Sequence, residues 1–326
     1  MNKIFITGGA GYVGCALADY LIEKGYFVTV YDLFIYGEDV FNKKINLTKI
    51  KGDIRDENLL NKSIEGHDVV IHLACISNDP SFELNPSLGK SINLDAFEPL
   101  VKIAKEKKIK RFIYASSSSV YGIKEIKNVN EEVKLEPITD YSKYKVECEQ
   151  ILNNYKDKEF CAITIRPATV CGYSKRQRLD VIVNILTNLG FHKKEITIFG
   201  GDQLRPNIHI KDMLRAYYSL IIAPQELVNG EAFNAGWENK SVNDIALMVK
   251  NSLGPDVKLV VSETDDNRSY HISSEKIKKI LKFHTKFTIS DAVNELRVAF
   301  DQKLLIDPLN NPNYFNIKKM QLIDLK

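Results

Sequence analysis

"KIFITGGAGYVGCALADYLIEKG", residues 3–25, sets four glycines within seven positions, between an apolar run and a helical pattern. Ile4, Phe5 and Ile6 suit a buried parallel strand. Leu17, Leu21 and Ile22 then recur at helical spacing. Gly9, Gly11 and Gly14 fit G-x-G-x-x-G, and Gly8, Gly11 and Gly14 fit G-x-x-G-x-x-G. Early glycines in such a turn permit a sharp bend and let the backbone approach a pyrophosphate; the last lets helix and strand pack closely. The free N–H groups of the helix start then face the anion. A plain tight turn is the competing reading, but the strand before and the helix after favour a phosphate cradle. A second apolar run, "YFVTVYD" at residues 26–32, ends in Asp32. A carboxylate there holds the hydroxyls of an adenosine ribose and disfavours a ribose phosphate, so NAD is expected rather than NADP.

The chain has 326 residues, of which 44% are hydrophobic, enough for one large or two modest domains. Its net charge of +3 comes from Lys and Arg interspersed with Asp and Glu, which argues against a nucleic-acid partner. The densest basic run, "KEKKIKR" at residues 105–111, ends a helical pattern and reads as a solvated C-terminal turn. No apolar stretch is long enough to span a membrane, and the chain opens directly on a strand. Five scattered cysteines without C-x-x-C read as reduced thiols. A cytoplasmic protein is expected, without a metal, since the six histidines are dispersed.

Strand candidates near 3–7, 26–31, 47–51, 68–73, 111–115 and 160–165 alternate with helical patterns. That rhythm predicts a parallel sheet covered on both faces. After about residue 170 helical segments near 178–190, 210–223, 241–252 and 288–302 mix with short strands such as "EITIF" and "VKLVV", predicting a smaller lobe interleaved with the first. The tail "IDPLNNPNYFNIKKMQL" predicts an irregular surface strap.

The chemistry gathers in two stretches. In "TDYSKYKVECEQIL", residues 139–152, Tyr141 and Lys145 lie four apart and share one helix face. A phenol with a reference pKa of roughly 10 is a poor base at neutral pH. An ammonium one turn away favours the phenolate, which could take a proton from a sugar hydroxyl. Taken alone, the pair is better explained by packing and surface charge. "RFIYASSSSVYG", residues 111–122, adds a hydroxyl-rich run at the carboxyl end of a central strand, where open α/β sheets hold their ligands.

With "TGGAGYVG", "GDIRD", "HLA", "SSSSVYG", "YSKYK" and "IRPATVCG" in family order, the sequence resembles the extended short-chain dehydrogenases/reductases of the NAD-dependent nucleotide-sugar epimerase/dehydratase family. The resemblance covers nearly the whole chain. It implies an α/β, Rossmann doubly wound parallel sheet with a smaller interleaved α/β C-terminal substrate-binding domain. Residues 1–170 would bind NAD, with a later return segment near 205–235; residues 171–326 would mainly bind a nucleoside-diphosphate sugar. Ser117, Tyr141 and Lys145 match the catalytic residues. Gly8, Gly11, Tyr12, Val13, Gly14, Asp32, Asp53, Ile54, Leu73, Ala74, Asn93 and Ser116, with Tyr141 and Lys145, match cofactor contacts. Ser77, Ser117, Thr169, Arg178, Arg205 and Arg268 match substrate contacts. Arg205 and Arg268 would grip the substrate diphosphate, for which a planar, permanently charged guanidinium is suited.

Departures narrow the activity. The 4,6-dehydratases of the family carry an Asp-Glu pair where this chain has Ser118 and Ser119, so dehydration is not expected. Thr169 and Ser77 stand where Asn and Lys are common, which departs from a standard UDP-galactose 4-epimerase. "ATVCGYSKRQRLDVIVN" resembles a branch that includes a GDP-heptose 4-dehydrogenase of capsule synthesis, and its Lys175, Arg176 and Arg178 would lie over the sugar nucleotide. The expectation is an NAD-dependent enzyme oxidising a nucleotide sugar at C4 for glycan precursor synthesis. It would be an epimerase or a net 4-dehydrogenase; a non-catalytic NAD(H) sensor has no need for Ser, Tyr and Lys together. The helices near 93–107 and 141–155 match a family four-helix bundle, so a homodimer is expected, on the argument that Phe97, Val101, Ile151 and Leu152 must be buried somewhere.

Overall fold

In the computed structural model, residues 1–264 and 269–323 are described, and seven parallel strands form the central sheet. The first six are β1 (Lys3–Thr7), β2 (Phe27–Asp32), β3 (Leu47–Lys51), β4 (Val69–His72), β5 (Arg111–Ala115) and β6 (Cys161–Pro167). Helices separate them except between β2 and β3, which a loop joins. After β7 (Thr169–Cys171), β8 (Glu195–Phe199) and β9 (Leu204–His209), the strand β10 (Ala232–Ala235) returns to the sheet. It pairs in parallel with β6, Ala232 opposite Thr164 and Ala235 opposite Pro167. The order is β10-β6-β5-β4-β1-β2-β3. The chain winds one way from β1 through β2 to β3 and the other way from β4 to β6, so the switch point lies between β1 and β4. Open sheets of this kind hold ligands beyond the carboxyl ends of the strands at that switch.

The middle strands carry apolar residues on both faces because helices cover both. Phe5, Val70 and Phe112 face one helical layer, while Ile4, Ile6, Ile71 and Ile113 face the other. The first helix, α1 (Tyr12–Glu23), buries Cys15, Leu17, Ala18 and Leu21, and the helix Ile210–Ile222 packs beside it. In the smaller lobe β7 and β9 join β11 (Glu238–Ser241), and β8 pairs in parallel with β12 (Lys258–Ser262). Its core includes Val183, Leu186, Ile196, Ile245, Val249 and Val293.

Two expectations change. The tail is not irregular throughout: Pro312–Tyr314 is a 3-10 turn and Asn316–Ile323 is a helix. Beyond the last proline "NIKKMQLI" holds no breaker, and Met320 packs against the main core. Phe97, Val101 and Leu152 are at most 1% exposed and belong to the chain's own core, so they are not available to bury a partner. Among the described residues no helix is long and apolar enough to cross a membrane. All five cysteines are free thiols.

Candidate active site

The carboxyl ends of the central strands open into a cavity of about 580 Å³ that runs from the glycine turn to the smaller lobe. At the glycine end Gly8 has φ +70°, and a Cβ there would lie 2.5 Å from the Ala74 nitrogen. A Cβ on Gly14 would lie 2.4 Å from the Gly8 carbonyl oxygen. Neither position admits a side chain, so strand, turn and α1 meet backbone to backbone. Gly11 is the N-cap of α1 and supplies no side-chain cap, which leaves the N-terminal N–H groups for an outside acceptor. Tyr12 and Val13 line the same opening. These features fit a dinucleotide diphosphate.

Asp32 ends β2 beside them. Its Oδ2 accepts from the Ala10 N–H at 2.9 Å and its Oδ1 from the Phe34 N–H at 2.8 Å. Burial pushes its carboxyl above the usual range, while those backbone donors and Arg176 oppose the rise. The orientation is fixed by backbone, and each oxygen keeps a lone pair for a ribose hydroxyl. Asp53 follows β3 and is ion-paired with Arg55 at 2.6 Å. Burial would raise its carboxyl, but Arg55 outweighs this and holds it below the ordinary value. Ile54, Leu73 and Ala74 complete this wall. Asn93 is not on the lining: its side chain bonds both the N–H and the carbonyl of Ile76, at 2.8 and 2.9 Å, and pins the loop after β4.

The catalytic candidates come from β5 and from the helix Asp140–Tyr155. Thr139 and Ser142 form a reciprocal cap at the helix start, fixing its first turn where Tyr141 sits. Lys145, one turn on, is 4% exposed. Its Nζ donates to the Ala115 carbonyl at 2.7 Å and lies 5.7 Å from the centroid of the Tyr141 ring. Burial alone would lower the Lys145 pKa, but Cys75, Tyr141, Cys148 and Glu149 outweigh it and keep the ammonium charged. For the Tyr141 phenol burial dominates and raises the pKa; the Lys145 charge works against it. Ser117 Oγ lies 2.9 Å from Ser119 Oγ and accepts from the Ser119 N–H at 3.1 Å. Ser118 and Ser119 bring no carboxylate to the lining.

Ser116 also borders the cavity, but its hydroxyl donates away from it to Glu149. Glu149 is ion-paired with Arg166 at 2.6 Å, Arg166 donates to the Tyr121 oxygen at 2.8 Å, and Tyr121 donates to Asn234 at 2.7 Å. This buried chain ties β5, β6 and β10 to the helix that carries Tyr141 and Lys145.

At the far end lie Thr169, Arg178 and Arg205. Arg178 pairs with Asp180 at 2.6 Å and donates to Ser77 Oγ at 3.2 Å. Arg205 lies against Tyr270, its guanidinium carbon 5.7 Å from the ring centroid. Arg268 lies outside the described residues. The basic run divides: Lys175 turns outward to Asp19 at 2.8 Å, while Arg176 and Arg178 both line the cavity. Sequence reasoning missed Tyr217 and Met320 on the lining, and Asn316. Asn316 receives hydrogen bonds from Tyr36 and Arg176 and donates to Ser77 at 2.9 Å. A lone polar residue after "NPNYF" carries no signal of this contact; only the fold brings position 316 to position 77.

The model of the NAD-dependent epimerase/dehydratase family matches residues 4–236. An uncharacterized UDP-glucose epimerase of Bacillus subtilis is 31% identical over 313 residues, covering 90% of this chain and 96% of that protein. The crystal structure of UDP-glucose 4-epimerase from Thermotoga maritima with UDP-glucose is similar with a TM-score of 0.84 at 25% identity, covering 93% of this chain and 100% of that one. That of UDP-glucuronic acid 4-epimerase from Bacillus cereus, in complex with UDP-glucuronic acid and NAD, is similar with a TM-score of 0.83 at 25% identity, covering 92% and 99%.

Proposed function

The chain belongs to the NAD-dependent epimerase/dehydratase family, a family of enzymes, and from that premise we propose that it oxidises the sugar of a nucleoside diphosphate at C4. The observation that carries this is one cavity lined both by the glycine cradle with Asp32 and by Tyr141, Ser117 and the two arginines Arg178 and Arg205. NAD, when bound, supplies the acceptor for the hydride that leaves the sugar carbon. Gly8, Gly11 and Gly14 with the N-terminus of α1 would hold its diphosphate, and Asp32 its ribose. Tyr141 takes the proton of the C4 hydroxyl as base, and the Lys145 ammonium stabilises the phenolate. Ser117 hydrogen-bonds the same sugar oxygen and fixes its distance from Tyr141. Arg178 and Arg205 offer their guanidinium groups to the substrate diphosphate.

Epimerisation at C4 is the reading we favour, since the named relatives include 4-epimerases and the positions that would carry a dehydratase's Asp-Glu pair are serines. Net oxidation to a 4-keto sugar uses the same residues. Five free thiols are consistent with a cytoplasmic enzyme, and we place it in glycan precursor synthesis. A screen of UDP-, GDP-, dTDP- and CDP-sugars, followed by deuterium exchange at C4 and the appearance of a new sugar, tests the reading. No turnover or exchange with any of them refutes it.

Asp32→Ala is expected to weaken NAD binding by about 10-fold or more, the scale of losing hydrogen bonds to a charged group, and to relax the preference over NADP. Fluorescence titration with NADH and NADPH measures it. Equal affinity of the unmodified protein for both cofactors would overturn the assignment. A homodimer is also proposed, because twofold pairing is the commonest closed arrangement. Light scattering at micromolar concentration decides it, and a monomer removes it.

A further inference from the structure

Arg176 is 4% exposed, and its Nε has no hydrogen-bond partner. The side chains in direct contact with it are neutral, although the Arg178 and Asp180 charges lie within electrostatic reach. One Nη donates to the Asn316 Oδ1 at 2.7 Å, and the guanidinium carbon lies 3.6 Å from the centroid of the Tyr36 ring. The other buried arginines differ. Arg166 pairs with Glu149 and Arg178 with Asp180, while Arg111 is wrapped by the carbonyls of Leu220, Ile221 and Ala223. Among the described residues no carboxylate forms an ion pair with Arg176. A cation buried without a counter-ion is costly. Burial accordingly pulls its pKa below the ordinary arginine value.

The guanidinium borders the cavity at a place that calls for an anion. It lines the same cavity as Gly11, Tyr12 and Gly14 at the first turn of α1, and its charge reaches Asp32 at the end of β2. That turn is the one whose N–H groups have no side-chain cap. Two independent devices for binding an anion, a helix N-terminus and a guanidinium without an ion-pair partner, therefore line one cavity. A guanidinium is permanently charged and presents a fork of donors to phosphate oxygens.

We infer that Arg176 grips the diphosphate of the bound dinucleotide opposite the N-terminus of α1, and that Asn316 of the C-terminal helix holds it in place. The inference rests on the NAD reading above. The alternative anion is the diphosphate of the sugar nucleotide, but Arg178 is already paired with Asp180, whereas Arg176 lies on Tyr36 with its charge reaching the Asp32 carboxylate. The tail is then part of the cofactor site. Asn316 also donates to Ser77, so the same residue touches the sugar-nucleotide side.

The test uses the full chain stripped of cofactor, with NADH, ADP-ribose and adenosine as probes, and the variants Arg176→Met and Asn316→Asp. Arg176→Met should weaken NADH and ADP-ribose about 10- to 100-fold, the fold-change for losing hydrogen bonds to a charged group. Adenosine, which lacks the diphosphate, should change by less than about 2-fold on the same reasoning. Without cofactor the variant should melt no lower than the unmodified protein, because an uncompensated charge has been removed. Asn316→Asp gives the guanidinium an internal counter-ion, so it should raise the melting temperature without cofactor and weaken NADH. This second variant keeps the test decisive if the first does not fold. Unchanged NADH affinity in both variants overturns the inference. So does an equal loss for adenosine, or a loss confined to UDP and GDP binding by the NAD-loaded protein. If the unmodified protein binds neither NADH nor ADP-ribose, the cofactor reading itself falls, and that result is distinct from a failure of Arg176 alone.

Discussion

Tyr141→Phe is expected to lower the reduction of bound NAD by roughly 100-fold or more, the usual scale for losing a positioned acid–base group. Fold and cofactor binding should stay nearly intact, because the ring packs in the main core and only the hydroxyl is lost. The measurement is single-turnover absorbance after mixing with the sugar nucleotide that the screen identifies. Lys145→Met adds a pH signature. Burial already raises the Tyr141 phenol, and the Lys145 charge opposes that rise. Without the charge the phenol pKa climbs further. The phenolate is the active form, so the acid limb of the rate profile should move to higher pH. Ser117→Ala should cost less, since the base remains. Unchanged reduction in Tyr141→Phe would assign the proton to another group.

Glu149→Ala carries the largest expected loss of stability. Glu149 is 9% exposed and serves two donors at once, Arg166 and Ser116. Removing one partner of a buried ion pair leaves the other uncompensated and costs about 3–5 kcal/mol. Urea unfolding should show a lower midpoint with an unchanged slope. Replacing both members, Glu149→Leu with Arg166→Met, should recover part of the loss, because no buried charge is then stranded. A midpoint equal to that of the unmodified protein in Glu149→Ala would show that Arg166 finds another counter-charge.

The parallel sheet was legible because its signal is local and repeated. Each apolar run from Ile4 to Ile165 sits between turn residues, and strands of that length next to helices leave few alternatives. The glycine turn was legible for the same reason, since strand, turn and helix start are contiguous. The long-range parts of the site were not. Asn93 lies on a helix at a position that reads equally well as a ligand contact, yet its amide is taken up by Ile76, seventeen residues away. Ser116 and Ser117 are neighbours of one type, and nothing in "SSSS" says which hydroxyl faces the cavity and which turns to Glu149. Lys175, Arg176 and Arg178 read as one basic run, and nothing in it says that Lys175 turns out to Asp19 while the two arginines line the cavity. The burial of Phe97 and Val101 was legible but its partner was not, because periodicity marks a face as apolar without saying what covers it.

The return of β10 to the sheet has a consequence for how the protein can be divided. The strand beside β6 comes from residues 232–235, more than sixty positions after β6 ends. A fragment ending near residue 170 would present β6 as a bare edge, with Ile163 and Ile165 losing the part of their cluster that residues 208–235 supply. Such an edge is a template for pairing with other chains. The same pairing is made late during synthesis, after the first strands of the smaller lobe have already emerged, so the nascent chain carries this sticky edge until residue 235 has left the ribosome. The boundary that looks like a domain border in the sequence is therefore a poor place to cut the protein.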